Sequence, residues 1–186
     1  MNEEIPWKII GEYFANNKTG LVDHHLESFN DFFSNGIIQI IKEQNPISIL
    51  KNLNSKTLEY DLRADIYIGG KEGNLLYFGK PVIYDDNYLH FMYPNEARLR
   101  NMTYGISITY DFEVDFTIID KEGNKMQKSQ MYKNIHLGRF PIMLRSNLCI
   151  LKNINNDIRY MMGECKNDYG GYFIIDGKEK VIISQE

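Results

Sequence analysis

Tyr104-Gly105-Ile106-Ser107-Ile108-Thr109-Tyr110-Asp111-Phe112-Glu113-Val114-Asp115-Phe116-Thr117-Ile118 alternates without a break. Tyr104, Ile106, Ile108, Tyr110, Phe112, Val114, Phe116 and Ile118 hold one parity, and Ser107, Thr109, Asp111, Glu113, Asp115 and Thr117 the other. A strand sends successive side chains to opposite faces, so this pattern predicts a long strand with one dry face and one wet, acidic face. Asp120-Lys121-Glu122-Gly123-Asn124 then turns the chain into a polar strand expected to end near Tyr132, an antiparallel pair at a sheet edge. Upstream, the even positions from Leu58 to Ile68 are mainly apolar while Glu59, Asp61, Arg63 and Asp65 alternate with them, which predicts a second half-buried strand. Gly69-Gly70-Lys71-Glu72-Gly73-Asn74 reads as a hairpin loop, with Leu75 to Phe78 as the return. Near the end, Gly170-Gly171-Tyr172-Phe173-Ile174-Ile175-Asp176-Gly177-Lys178-Glu179-Lys180-Val181-Ile182-Ile183 places Asp-Gly between two apolar runs. A two-residue type I′ turn needs φ > 0 at both central positions and suits that pair, so the segment predicts a β-hairpin. The last arm runs to Ser184-Gln185-Glu186 with no closing turn, and the expectation is the front part of a longer polypeptide.

Helical spacing is confined to short stretches. Pro6 suits a helix start, and Trp7, Ile10, Tyr13 and Phe14 recur on one face before Asn16-Asn17-Lys18-Thr19-Gly20 breaks the pattern. Leu21, His25, Leu26, Phe29, Phe32 and Phe33 trace a second helix expected to stop at Asn35-Gly36. Pro94 to Asn101 predicts a short helix with Pro in its first turn, and Asp157 to Met162 another, closed by Gly163. No composition shift marks a linker. The fold class expected is α+β, a mixed, mainly antiparallel sheet with a few short helices, in a single domain over residues 1–186.

The chain of 186 residues is 43% hydrophobic and 25% charged, ordinary for a globular protein, and no apolar run approaches the ~20 residues of a membrane span. Met1-Asn2-Glu3-Glu4 lacks the basic and apolar regions of a signal peptide, and Cys149 and Cys165 form no disulfide framework, so an intracellular, reducing compartment is expected. The formal net charge of −4 argues against a self-sufficient DNA-binding domain, whose affinity rests on neutralising phosphates. Contact with nucleic acid would have to come from this chain acting as one wall of a larger basic cleft.

Several residues invite chemistry. Asp111, Glu113 and Asp115 share a face, yet a solvated strand face accounts for them better than a metal site. His24-His25 has no third ligand at suitable spacing, and Cys165 beside Glu164 has neither His90 nor His136 placed next to it by sequence, so a structural thiol is the default. Gly69 to Gly73 precedes no helix and lacks the Gly-Lys-Ser/Thr ending of a phosphate loop. Arg98 and Arg100, two apart on a short helix, cannot share one face, so one is expected to pair internally and the other to reach outwards. Arg139 and Arg145 flank Phe140 to Leu144, and bracing of loops is the favoured role for these arginines over direct nucleic-acid contact. Lys178 and Lys180 alternate with Glu179 on the last strand and are candidates for phosphate contact.

Four blocks, in order, carry a resemblance. They are Trp7 to Phe33; Tyr93-Pro94-Asn95-Glu96-Ala97-Arg98-Leu99-Arg100-Asn101-Met102-Thr103-Tyr104; Gly138-Arg139-Phe140-Pro141-Ile142-Met143-Leu144-Arg145-Ser146; and Gly163-Glu164-Cys165 leading into the Gly170 to Ile175 hairpin arm. Together they resemble the N-terminal region of the second-largest subunit of multisubunit DNA-directed RNA polymerases, on the archaeal, eukaryotic and viral side of the family. Lys166 and Tyr169 depart from it, standing where relatives often have proline. The resemblance implies the first part of the protrusion, a mixed α/β wall along the DNA cleft of a nucleotidyltransferase that works by two-metal chemistry. It implies no catalytic, cofactor-binding or metal-binding residue in this segment, because the magnesium aspartates belong to the largest subunit. It implies as partners that subunit, the remainder of the second-largest subunit, initiation factors, and the DNA template and RNA–DNA hybrid within the assembled complex. Lys178, Lys180, Arg145 and Arg100 are then the residues expected to face nucleic acid. The compartment implied is the nucleus, or host cytoplasm or virion for a virus, with no membrane. The alternative is a truncated stand-alone paralogue that acts as a non-catalytic protein-interaction module through an exposed sheet edge.

Overall fold

A strand carries main-chain donors and acceptors along both edges, and the long alternating segment at residues 105–119 has hydrogen-bonded neighbours to satisfy them. A computed structural model describes residues 4–17, 19–55, 59–85, 88–120, 123–183 and 185. The expectations resting on Met1 to Glu3, Lys18, Leu58, Lys121, Glu122, Ser184 and Glu186 lie outside the described residues. In chain order the elements are α1 (Glu4–Asn16), α2 (Asp23–Asp31), a π turn (Phe32–Gly36), α3 (Ile37–Gln44), β1 (Ile47–Leu53), β2 (Tyr60–Ile68), β3 (Leu76–Phe78), β4 (Val82–Asp85) and β5 (Tyr88–Phe91). They continue with α4 (Pro94–Leu99), β6 (Gly105–Ile119), β7 (Lys125–Pro141), α5 (Asn156–Met161), β8 (Phe173–Ile175) and β9 (Lys178–Lys180). The fold is mixed α+β with mainly antiparallel sheets and few helices, as the alternation implied. Among the described residues no helix is long and apolar enough to cross a membrane.

The described residues fall into two compact units. One comprises those of Phe33–Gly79 and Ser107–Phe140. Its five-stranded sheet runs β1-β2-β6-β3, with β7 also paired to β6. The segment after Gly69 is not the hairpin return that its glycines suggested. Ile68 pairs with Phe112 and Leu76 with Tyr110; eight residues separate the first members and only two the second, so six are looped out and β3 rejoins β6 in the direction of β2. The Gly69 N–H donates to the Asp111 carbonyl (2.8 Å), the Asp111 N–H donates to the Leu75 carbonyl (3.1 Å), and Leu75 N–H to Gly69 O (3.0 Å) closes the excursion. Since N–H and C=O of one strand residue face the same edge, β2 and β3 lie in tandem along that edge.

Asp111 is a second correction. Expected on the solvated face, it is buried, at 5% exposure. Its Oδ1 accepts the Asn134 N–H at 2.8 Å and its Oδ2 the Tyr77 hydroxyl at 3.2 Å, so the carboxylate serves an irregular residue of β7 whose φ is +56°. That substitution of a side-chain acceptor for a ladder partner lets β7 continue well past Tyr132, to Pro141. Glu113 and Asp115 do form the polar face. Lys71, carried by the excursion, sits 3.3 Å from Glu113 and 3.0 Å from Asp115, and the Ser129 hydroxyl meets both carboxylates. The helical pattern likewise does not stop at Asn35-Gly36. Gly36 takes φ −60°, not the left-handed conformation of a helix-ending glycine, and α3 follows because Ile37, Ile38, Ile40 and Ile41 renew the apolar spacing.

The other unit comprises the described residues of Met1–Phe32, Lys80–Ile106 and Pro141–Glu186. Met92, Ala97, Tyr104, Ile106, Ile142, Leu144 and Ile174 are fully or almost fully buried there. Tyr104 ties two segments through its main chain, donating its N–H to Ile174 O (2.9 Å) and accepting from Ile142 N–H (3.0 Å). Its hydroxyl meets the buried Cys149 sulfur at 3.4 Å, and burial first, then Cys149, pushes its pKa upward. Phe29 of α2 packs edge-on against Phe173 of β8. Replacing Asp111 with Ala leaves the Asn134 N–H without its acceptor and lowers the stability measured by urea unfolding by about 2 kcal/mol. Asp111→Asn keeps an acceptor and costs less than half of that; equal losses would contradict the assigned role.

Candidate nucleic-acid interface

Asp176 (φ +50°) and Gly177 (φ +73°) form the tight turn between β8 and β9 that the Asp-Gly pair required, and register pairs Ile175 with Lys178 and Phe173 with Lys180. The turn is fastened to the end of α4. Gly177 N–H donates to Met102 O (3.0 Å), Asp176 N–H donates to Thr103 Oγ1 (3.1 Å), and the Thr103 hydroxyl donates to Asp176 Oδ1 (3.2 Å). A Cβ on Gly177 would lie 2.8 Å from Asn101 Cα, so that residue is glycine for space as well as for φ. Asn101, at φ +51°, ends α4 in a Schellman arrangement, with Met102 N–H on Ala97 O (2.8 Å) and Asn101 N–H on Arg98 O (3.4 Å).

Arg98 braces the hairpin from below. Nη1 donates to Glu164 Oε2 (2.9 Å), Nη2 to the Tyr172 hydroxyl oxygen (2.7 Å) and Nε to Glu179 Oε1 (2.8 Å). Burial opposes its charge, but the hydrogen bond to Glu164 and the neighbouring Tyr172 outweigh that and hold its pKa above the ordinary guanidinium value. Glu164, 4% exposed, also accepts the Asn95 N–H at 2.7 Å, capping an α4 whose N-cap, Tyr93, offers no side-chain bond. Tyr172 donates its hydroxyl proton to Asp168 Oδ2 at 2.5 Å; burial and then Asp168 drive its pKa up. Asp168 Oδ1 in turn accepts the Gly170 N–H (2.8 Å).

The four residues expected to face nucleic acid are placed differently. Lys178 and Lys180 are exposed and share the strand face opposite Glu179, and neither makes an ion pair among the described residues. Arg100 forks onto Asp85 (2.6 and 2.7 Å) and reaches Glu96 (3.0 Å). Those bonds, Asp85 first, raise its pKa, and the bond from Arg100 is the leading cause that lowers Asp85. Arg145 donates to Asp168 O (2.7 Å) and lies over the Tyr169 ring, the bracing role that loop arginines suggested. Arg98 and Arg100 do serve different faces, and both make ion pairs.

Asp85, His90 and Glu96 bring three potential ligand atoms within 4.8 Å of one another, but the Arg100 guanidinium bonds both carboxylates, and an arginine-filled site with a histidine donor does not fit magnesium. Sequence reasoning missed the hub of Arg98, Glu164, Asp168 and Tyr172. Its members lie up to 74 residues apart, and only the Gly163-Glu164 and Gly170-Gly171 pairs hinted that this loop was conformationally special.

Glu164→Ala removes the main partner of a partly buried arginine and a helix cap, and lowers stability by about 3 kcal/mol in chemical denaturation. Glu179→Ala, at a carboxylate more than half exposed, costs less than about 1 kcal/mol. Acid gives a further outcome. Asp85, through Arg100, and Glu96, where hydrogen bonds from His90 and Arg100 overcome burial, hold pKa values below the ordinary range. Their contribution is present above the unfolded value of about 4 and is lost as pH falls through the lower folded values. The unfolding midpoint therefore stays level on this account from neutral pH to about 5 and falls below about 4, less steeply in Arg100→Met.

Comparison with known proteins bears on the whole of this arrangement. The RNA polymerase beta subunit family model matches residues 20–186. The chain is 36% identical to DNA-directed RNA polymerase II subunit RPB2 of Eremothecium gossypii, over 98% of this chain and 15% of the relative. It is 33% identical to DNA-directed RNA polymerase subunit Rpo2N of Methanothermobacter thermautotrophicus, over 97% of this chain and 30% of the relative. Against the probable DNA-directed RNA polymerase II subunit RPB2 homolog of Invertebrate iridescent virus 3, identity is 34% over 96% of this chain and 14% of the relative. The chain thus corresponds to a minor part of each of these relatives. The matched residues include α4, the loop that braces it and the β8–β9 hairpin, and the chain belongs to the RNA polymerase beta subunit family.

Proposed function

We propose that this chain is the N-terminal protrusion segment of the second-largest subunit of a DNA-directed RNA polymerase and contributes one wall of the DNA cleft. The observation that carries the reading is the braced hairpin, which presents Lys178 and Lys180 on one face while Arg98 holds Glu179 on the other. Fixed, unpaired cations on a rigid turn suit a sequence-independent phosphate contact, and a net charge of −4 is compatible with this chain supplying only part of a basic cleft. Arg100, bonded to Asp85 and Glu96, and Arg145, bonded to the Asp168 carbonyl, contribute by bracing α4 and the loop before the hairpin, with nucleic acid reached only at their outer edges.

Nucleotidyl transfer is the activity of the assembled enzyme. Magnesium would supply its two-metal chemistry there, held by another subunit, and the residues here hold, orient and shield without taking or giving a proton. The partners are the largest subunit, the remainder of the second-largest subunit, initiation factors, and the template and RNA–DNA hybrid. The compartment follows the source: nucleus for a eukaryote, host cytoplasm or virion for a virus.

Native affinity purification of the tagged chain tests the assembly, with recovery of a largest subunit and of second-largest-subunit sequence at equal stoichiometry as the expected result. Recovery alone or with unrelated proteins would sink it and favour the stand-alone interaction module. In the purified polymerase, Lys178→Ala and Lys180→Ala weaken DNA retention equally across sequences and reduce the salt slope by about one for each lysine removed.

A further inference from the structure

Strand β7 carries Lys125, Lys128, Lys133 and Arg139 and no aspartate or glutamate, in a chain whose net charge is −4. It pairs with β6 and with no other strand among the described residues, so its far edge is open. Every residue from Lys125 to Asn134 is exposed. An open strand edge presents a row of main-chain N–H and C=O groups that a further strand can meet. Asn134, at φ +56°, interrupts the regular run, which therefore extends from Lys125 to Lys133. Lys128 and Lys133 make no ion pair among the described residues, and Lys125 reaches only Glu59, at 3.9 Å.

These charges are placed for a strand and not for a phosphate backbone. Side chains alternate along β7, so Lys125, Ser129 and Lys133 share one face of the sheet and Lys128 lies on the other with Tyr132. Ser129 and Tyr132 mark those faces, the first by its bonds to Glu113 and Asp115 and the second by stacking on Phe112. Cations divided between two faces make no continuous basic surface for a duplex, whereas an added strand projects side chains to both faces. A phosphodiester backbone also offers acceptors to the strand's N–H groups and no donor to its carbonyls. Glu113 and Asp115 stand on β6, one strand further in, and Lys71 already pairs with both. Two strand spacings, about 10 Å, put them near the screening length of ~0.1 M salt from an added strand. Like charges oppose the pairing of two copies of β7, so the lysines that guard this edge against self-association select for opposite charge. Exposed Met131 and Tyr132 between them suit apolar residues at alternate places. At the other edge of the sheet, β1 carries Lys51 as its only charge, and nothing there selects an occupant. We propose that the free edge of β7, from Lys125 to Lys133, binds an extended, Asp/Glu-rich segment of a partner protein by strand addition. The inference holds whether or not Lys178 and Lys180 face DNA.

The test uses the full chain and an end-blocked peptide that alternates glutamate with valine over about nine residues, the span of the site. Binding is followed by calorimetric titration and by amide hydrogen exchange in nitrogen-15 NMR spectra. The expected result is saturable binding that weakens as salt rises, with exchange slowed at alternate amides between Lys125 and Lys133. Lys128→Glu combined with Lys133→Glu weakens binding about tenfold at low salt, and that chain takes the matching lysine–valine peptide instead. A glutamate–valine peptide N-methylated throughout keeps its charges and loses its binding, because the main-chain bonds cannot form. Absence of saturable binding, equal binding of the methylated peptide, or slowed exchange elsewhere than in β7 overturns the proposal. So does slowed exchange at these amides on raising the protein concentration alone, which would mean a second copy, or on adding single-stranded oligothymidylate where the peptide has no effect. Should the charge-reversed chain fail to fold, the two glutamate peptides on the wild-type chain decide.

Discussion

Arg98 is held by carboxylate and phenol groups from segments that meet nowhere else in the sequence: the loop bearing Glu164, the approach to β8 at Tyr172, and β9 at Glu179. A guanidinium partly withdrawn from water has to be surrounded, and each partner here is itself bound further on. Glu164 caps α4, Tyr172 passes its proton towards Asp168, and Asp168 gives its carbonyl to Arg145. Satisfying one cation therefore orders the loop, the helix start and the strand pair together. Left-handed residues such as Gly170 and Asp176 persist because this network over-determines their conformation.

The sheet unit follows a different logic. Its strand β6 is long enough to serve two tandem partners on one edge and β7 on the other, and its acidic residues are divided by position. Glu113 and Asp115 meet Lys71 and Ser129 near solvent, whereas Asp111 spends its charge on a main-chain donor that the ladder leaves free. Equal spacing in sequence thus yields unequal chemistry, because burial varies along the strand.

Elements whose signal is local were legible. The Asp176-Gly177 turn follows from the φ values only such a pair tolerates, α4 from Pro94 at its start, α5 from Gly163 after it, and β2 and β6 from their period of two. Strand β1 was not: Ile47 to Leu53 is exposed along its whole length and shows no burial period. The brace around Arg98 was beyond reach for another reason. That Arg98 and Arg100 serve different faces follows from helix geometry, and Arg100–Glu96 is an ordinary i,i+4 pair, but the carboxylates taken 15 to 81 residues away follow from no local rule.

The looped-out segment between β2 and β3 has an evolutionary corollary. Its two ends are joined by the Leu75 N–H and the Gly69 carbonyl, and both flanks rest on the same neighbour, so strand register on either side is independent of how many residues lie between. Lengthening a closed loop is entropically cheap, about 0.6 kcal/mol per doubling. This position can therefore accumulate insertions of lineage-specific length while the rest of the sheet is inherited unchanged, which makes it the natural place for a subunit of this kind to diversify its surface without renegotiating its architecture.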